Sequence, residues 1–290
     1  MDSKSALLKG EPRMTRFVKY LLSFVVLLAL GVGCRQDAGH EDTADIAVTN
    51  SYLGGAVRDL CPPDVKVLCL APPGMCPGHF DISPVQVRQL RNCRVLLLFG
   101  FQQSIEEKLT RLRDRGLQMQ RVEVPAGMCI PETYLTTCRK VAQVLAGVYP
   151  EKAKHFEERL AAVEQRLGTL TADLRTSVAR SSIAAAPVLV SYHQAKFAEW
   201  LGLQAVATFI GSDIETVTGI DQCLKKAAGK DIRFVIANRQ EGTGLAEALA
   251  ERLHARAVVF SNIPSSCEGQ EGFDRLVRDN VGLLLGAAGK

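Results

Sequence analysis

The sequence predicts an α/β protein of two lobes, each a mostly parallel sheet flanked by helices, joined by one long backbone helix. Three observations carry this. Short apolar, β-branched runs alternate with helical patterns through residues 45–131. The same rhythm returns through residues 186–290. Between them, residues 132–185 read as helix without a strand signal. Alternation of this kind means βα units and a parallel sheet. At 47% hydrophobic and 23% charged, the chain has the composition of a globular protein, and 290 residues suffice for two lobes.

The elements follow in order. DIAVTNSY (Asp45–Tyr52) is a strand leading into the helical LGGAVRDL, and VKVLCLAP (Val65–Pro72) is the next strand. It runs into PPGMCPGHFDISP, a loop rich in proline and glycine. SPVQVRQLRNC then reads as a helix capped by Ser83, with Pro84 at its first position. RVLLLFG (Arg94–Gly100) is a buried strand, SIEEKLTRLRD an amphipathic helix, and QRVEVP (Gln120–Pro125) a further strand. Glu132 to Val148 forms one helical stretch, and Pro150 starts another. On the second, Phe156, Leu160, Val163, Leu167, Leu170 and Leu174 step by 4, 3, 4, 3, 4, which is one helix face. About 30 residues at 1.5 Å each make a rod roughly 45 Å long. VLVSYH, QAVATFI, RFVIANR and ARAVVFS are the strands of the second lobe. AKFAEWLGL, GIDQCLKKAAGKD, GLAEALAERLH and EGFDRLVRDNVGLLLGAA are its helices.

Residues 1–33 read as an export signal. Arg16 and Lys19 precede the apolar run Tyr20–Gly33, which is too short for a comfortable membrane span of about 20 residues. Met14 is an alternative start. Cys34 directly after GVG resembles the bacterial lipobox cysteine, which is lipidated; Gly31 stands where the usual leucine would, with Leu30 one place further back. A cleaved signal with an ordinary Cys34 is the other reading. Residues 34–44 are polar and aperiodic and read as a tether from lipid to body. Removing residues 1–33 takes away Lys4, Lys9, Arg13, Arg16 and Lys19 against Asp2 and Glu11, which brings the net charge from +4 to +1. No basic patch points to nucleic acid.

Two loops share a Gly-Met-Cys core: Gly74-Met75-Cys76 and Gly127-Met128-Cys129. Proline and glycine on either side hold such a loop in a fixed conformation. Cys76 and His79 have the Cys-x-x-His spacing of a chelating turn. Nine cysteines in an exported chain raise disulfides as the default, yet a chain this long buries its own core without staples. Cys76 and Cys129 are therefore either metal ligands or a disulfide bridging the two loops. Cys61, Cys69, Cys93, Cys138 and Cys223 read as structural. His40, His155 and His254 read as a solvated tether residue, a helix-surface residue and a helix-end residue.

The layout resembles the metal-binding lipoproteins of ABC importers, the zinc and manganese solute-binding proteins of cluster A-I (ZnuA/TroA-like). VKVLCLAPPGMCPGHFDISP resembles the family's strand and proline-glycine loop. VYPEKAKHFEERLAAVEQRL resembles its backbone helix, VSYHQAKFAEWLGLQAV its third-histidine segment, and FVIANRQEGTGLAEALAERLHARAVVF its following strand and helix. Together they span essentially the whole mature chain. The resemblance implies a metal held in the cleft between lobes by four residues, typically three histidines and an acid. It carries over as follows. His193 matches the third histidine. Gly78 falls at the first, with His79 one place later. Cys129 occupies the region of the second. Ser261-Asn262 fall near the acid, with Cys267 and Glu268 close behind.

The expected metal ligands are thus Cys76, His79, Cys129 and His193. Two sulfurs and two nitrogens favour tetrahedral Zn²⁺, and participation of Met75 or Met128 would favour Cu(I). The resemblance further implies an ABC permease and its ATPase as partners, a monomer, and an extracytoplasmic lipoprotein at the cell membrane. The alternative function is a diverged binding lipoprotein for a non-metal small ligand or a metal complex, with Cys76–Cys129 a structural disulfide. A thiol-disulfide redox lipoprotein is a weaker third class, since there is no Cys-x-x-Cys motif. No Gly-x-Ser-x-Gly, phosphate loop or zinc-protease motif is present, so the expectation is a binding protein and not an enzyme.

Overall fold

The computed structural model describes residues 44–76, 78, 80–211 and 215–289. The expected export signal, the tether with Cys34 and His40, and His79 lie outside the described residues.

Two four-stranded sheets, parallel throughout, form the framework. The first contains β1 (Ile46–Val48), β2 (Val67–Cys69), β3 (Val95–Phe99) and β4 (Gln118–Val122), in the order β2-β1-β3-β4. The second contains β5 (Pro187–Ser191), β6 (Gln204–Phe209), β7 (Phe234–Asn238) and β8 (Arg256–Phe260), in the order β6-β5-β7-β8. The two orders are the same topology used twice. β3 is buried along its whole length, as is β7, which matches central parallel strands covered on both faces. The expected strands are all present. The fourth begins two residues earlier than its apolar pattern suggested, because Gln118 and Met119 pair in register with Val95 and Leu96.

The helices are α1 (Ser51–Leu60), α2 (Pro84–Leu90), α3 (Gln103–Lys108), α4 (Thr110–Arg113), α5 (Pro131–Val148), α6 (Ala153–Ala179), α7 (Ala195–Trp200), α8 (Val217–Ala227), α9 (Gly244–Leu253) and α10 (Gly269–Ala288). Ser83 caps α2 in a full capping box with Gln86, and Pro84 takes the first helical position, as its fixed φ and missing N–H allow. Asn50 caps α1. Its side-chain oxygen accepts from Leu53 N at 3.0 Å, and its Nδ2 donates to Thr49 Oγ1 at 3.0 Å. Asn50 is fully buried, so both groups would be orphaned without it. Asn50→Ala is expected to cost about 2 kcal/mol in a urea titration, the upper end for a lost cap. A loss under about 0.5 kcal/mol would show that the cap is dispensable.

The 27-residue α6 is the rod expected from the sequence, roughly 40 Å long. Phe156, Val163, Leu167, Leu170, Leu174 and Val178 are buried along its one apolar face. These residues join a single core cluster with Val48, Leu53 and Tyr134 near the first sheet and Val188, Phe234 and Phe273 near the second. Both lobes therefore rest on the same helix and share apolar core.

A buried ion cluster fastens that helix. Arg166 of α6 makes a two-pronged pair with Asp59 of α1, both N···O distances being 2.7 Å. Its Nε lies 3.3 Å from Asp274 of α10. Tyr134 of α5 donates to Asp59 Oδ2 at 2.9 Å, and Arg159 donates to the Asp59 carbonyl at 3.1 Å. Four helices thus meet at the Arg166–Asp59 pair. No helix among the described residues is long and apolar enough to cross a membrane.

Candidate metal-binding cleft

In a parallel sheet the loops gather at the carboxyl ends of the strands, and a crevice opens where successive connections leave in opposite directions. Here β1 has β2 on one side and β3 on the other, and β5 has β6 and β7. Residues 49–51 after β1 and 191–194 after β5 therefore occupy the switch points of their sheets. The loops after β2, β4, β7 and β8 complete the wall.

His193 stands just beyond β5, in a short 3-10 turn (Tyr192–Gln194). Its Nδ1 is paired with Glu241 Oε1, and Ser191 donates to Glu241 Oε2 at 2.6 Å. The bond to Glu241 raises the His193 pKa above the ordinary value, with burial opposing. Burial alone would lift Glu241, but the bonds from His193 and Ser191 reverse this and hold its carboxyl below the ordinary value. Glu241 is backed by Gly211: a Cβ at Gly211 would lie 2.5 Å from Glu241 Cβ and 2.6 Å from its carbonyl oxygen, so only glycine lets the β6 exit pass so closely. A carboxylate on Nδ1 fixes the ring and presents Nε2 for coordination, the usual outer support of a metal-binding histidine. The His193 side chain is half exposed, at 54%.

Cys129 is placed differently. It is buried at 1%, and its thiol donates to the Ser261 carbonyl at 3.1 Å. Asn280 Nδ2 approaches the sulfur at 3.6 Å and Gln194 Oε1 lies at 3.9 Å. Burial pushes its pKa up to about 12, against the hydrogen bonds with Gln194 and Asn280. Cys76 is half-buried in the first Gly-Met-Cys loop, and both cysteines are free thiols, not the disulfide of the alternative reading. Among the described residues, no three His, Cys, Asp or Glu side chains stand together as a metal-holding group. Cys129 turns toward Ser261 because a buried S–H needs an acceptor, and that carbonyl supplies one.

The remainder of the cleft is neutral and polar. Gln240 Nε2 donates to the Gly74 carbonyl at 3.0 Å and to Ser261 Oγ at 2.9 Å. Ser51 donates to the Pro264 carbonyl at 2.6 Å. Gln194, fully buried, donates to Asn238 Oδ1 at 3.1 Å. Asn280 holds Ser261 at two points, accepting from its N–H at 3.0 Å and donating to its carbonyl at 2.8 Å. Ser261, which falls near the expected acidic ligand, is thus occupied as a structural hub. Glu241, Gln194, Gln240 and Asn280 escaped the sequence reading. Polar residues directly after an apolar strand, as in ANRQEG, were the signal for Gln240 and Glu241. Asn280 lies in mid-helix, where nothing in the local pattern distinguishes it from a surface residue.

The family described as "Zinc-uptake complex component A periplasmic" matches residues 46–287. No curated protein matches the chain. Among solved structures, the fold is similar to that of a ZnuA crystal structure, at 18% identity and TM-score 0.68, covering 85% of this chain and 99% of that one. It is also similar to a Cd-bound periplasmic metal binding protein from candidatus liberibacter asiaticus, at 13% identity and TM-score 0.69, covering 84% and 98%. A Mn-bound structure of the latter protein matches with the same identity, TM-score and coverage.

Proposed function

Because the chain belongs to the family of periplasmic component A proteins of zinc-uptake complexes, we propose that it is an extracytoplasmic solute-binding protein of a metal ABC importer. Its cargo is a soft transition metal, with zinc the first candidate and Cu(I) the second. It delivers that cargo to a permease driven by an ATPase, and it is held at the membrane by a lipid on Cys34. The observation that carries this reading is the His193–Glu241–Ser191 array at the switch point of the second sheet. An imidazole oriented by a carboxylate is built to offer Nε2 to a metal, which takes the place of the proton there.

The proposed partners of His193 are Cys76 and His79 from the first lobe, with Cys129 as the fourth ligand. Cys129 would have to release Ser261 and lose its proton, and a thiolate bond to the metal provides the compensation. No residue of the site is assigned a catalytic role; cargo capture needs coordination and release only.

The test is metal content and thiol accessibility on one sample purified from the periplasm. One equivalent of zinc or copper, with the Cys76 and Cys129 thiols protected from alkylation only while metal is bound, supports all four ligands. Protection of Cys76 alone would restrict the set to Cys76, His79 and His193 with a non-protein fourth ligand.

A second reading is favoured by the neutral polar side chains gathered at the strand ends, Ser51, Gln194, Asn238, Gln240 and Ser261, of which Gln240 and Ser261 are partly exposed. Such groups recognise a neutral polar small molecule or a metal complex by hydrogen bonds. Absence of any metal response, together with a thermal shift from an organic ligand, would decide for it.

A further inference from the structure

Cys69 and Cys267 come from distant parts of the chain and meet in the fold. Cys69 ends β2, the edge strand of the first sheet, and its register partner on β1 is Val48. Cys267 lies in the loop leading out of β8 toward α10, beyond the second sheet. It packs onto α1 at Gly54: a Cβ there would lie 3.0 Å from Cys267 Cβ, 3.2 Å from its Sγ and 3.5 Å from Val48 Cγ2. The bare backbone of Gly54 therefore lets Cys267 settle beside Val48, the neighbour of Cys69. The two thiols interact directly. Both residues are free and only half-buried, so a reagent can reach them.

We propose that Cys69 and Cys267 form a disulfide that ties the edge strand of the first sheet to the loop leaving the second. Among the other described cysteines, Cys61, Cys93, Cys129, Cys138 and Cys223 are buried, and Cys76 is half-buried in the first Gly-Met-Cys loop. The pair also divides the chemistry. Cys69 lowers the pKa of Cys267, with burial and the Glu268 charge opposing and Arg58 assisting, while the same contact together with burial raises Cys69. In the proposed exchange Cys267, where this contact favours the thiolate, attacks first and Cys69 second.

The oxidant is a low-molecular-weight or protein disulfide of the extracytoplasmic compartment. The Cys267 thiolate attacks one of its sulfurs, forming a mixed disulfide and expelling the other sulfur as a thiolate. Cys69 then loses its proton and attacks the Cys267 sulfur. The Cys69–Cys267 bond forms, the mixed disulfide breaks and the second thiolate leaves. Two electrons and two protons pass to the oxidant, which ends as two thiols. The cross-link closes a very long loop, where the entropic constraint on the unfolded chain is greatest. It also anchors the loop that carries Ser261 and Pro264, the residues through which the cleft walls are joined.

The full chain, purified under reductant and then equilibrated with oxidised glutathione, tests this by alkylation after denaturation and peptide mapping. The expected result is one cross-linked peptide joining Cys69 and Cys267, and a thermal midpoint several degrees above the reduced form. Cys69→Ser and Cys267→Ser should each abolish both. Recovery of both cysteines as alkylated thiols, or of either one bonded to glutathione or to a different cysteine, would overturn the proposal. The peptide map of the unmodified chain decides the matter even if a variant misfolds. It is also independent of metal content, so failure of the metal reading leaves this result intact.

Discussion

His193→Ala is expected to weaken zinc binding by more than about 100-fold in a competition titration against a chelator of known affinity. Loss of an outer-shell partner alone typically costs about 10- to 100-fold, and His193 is proposed to touch the metal itself. Glu241→Gln provides the graded comparison. It keeps a hydrogen bond to Nδ1 but removes the charge, and it should fall within that 10- to 100-fold range. The order of the two effects matters more than either size. If His193→Ala and Glu241→Gln both leave affinity unchanged while the protein still binds one equivalent, the metal sits elsewhere. Circular dichroism on each variant separates lost coordination from lost fold, because His193 is half exposed and its removal leaves little cavity.

The second large effect is on stability. Arg166→Met should destabilise the chain by about 3–5 kcal/mol, the range for removing one partner of a buried ion pair. Asp59 is 3% exposed, and without Arg166 it keeps only the hydrogen bond from Tyr134 on its carboxylate. Asp274, whose pKa is already raised, chiefly by burial, would also lose its nearest cation. Equilibrium urea unfolding reads this directly. The double variant Asp59→Leu, Arg166→Met should recover much of the loss, since an apolar pair leaves no uncompensated charge. A loss below about 1 kcal/mol in the single variant would mean that water reaches Asp59 and substitutes for the guanidinium. The cluster matters for function because Asp59, Tyr134, Arg166 and Asp274 belong to four different helices, so its integrity keeps both lobes seated on α6.

The two halves of the problem differed in legibility for a physical reason. Periodicity is a local property, and the fold is dictated by it. Alternating apolar strands and helical faces were enough to place eight parallel strands and the long helix. The stripe from Phe156 to Leu174 correctly marked the buried face of α6, with only Leu160 less than fully buried. The Ser83 cap and the break at Pro150 were likewise written in a few adjacent residues. His193 could be singled out because it follows directly on a strand end.

Contacts between residues far apart in sequence were a different matter. Cys129 looked like the twin of Cys76, since both sit in Gly-Met-Cys loops. Only packing shows that its thiol is turned to Ser261, which lies 132 residues away. The same holds for Glu241, which meets His193 from the turn after β7, and for Asn280, a mid-helix residue that fixes Ser261. Cys267 was visible only as a neighbour of the expected acidic ligand, and Cys69 as a strand cysteine. Their meeting depends on a glycine at position 54 of a third element. By itself, the sequence determined the secondary structure, the two-lobed α/β class and the chemical types available at the cleft. Tertiary structure alone decided which of those side chains find one another, because hydrogen bonding and burial in a packed interior are settled by the whole chain at once.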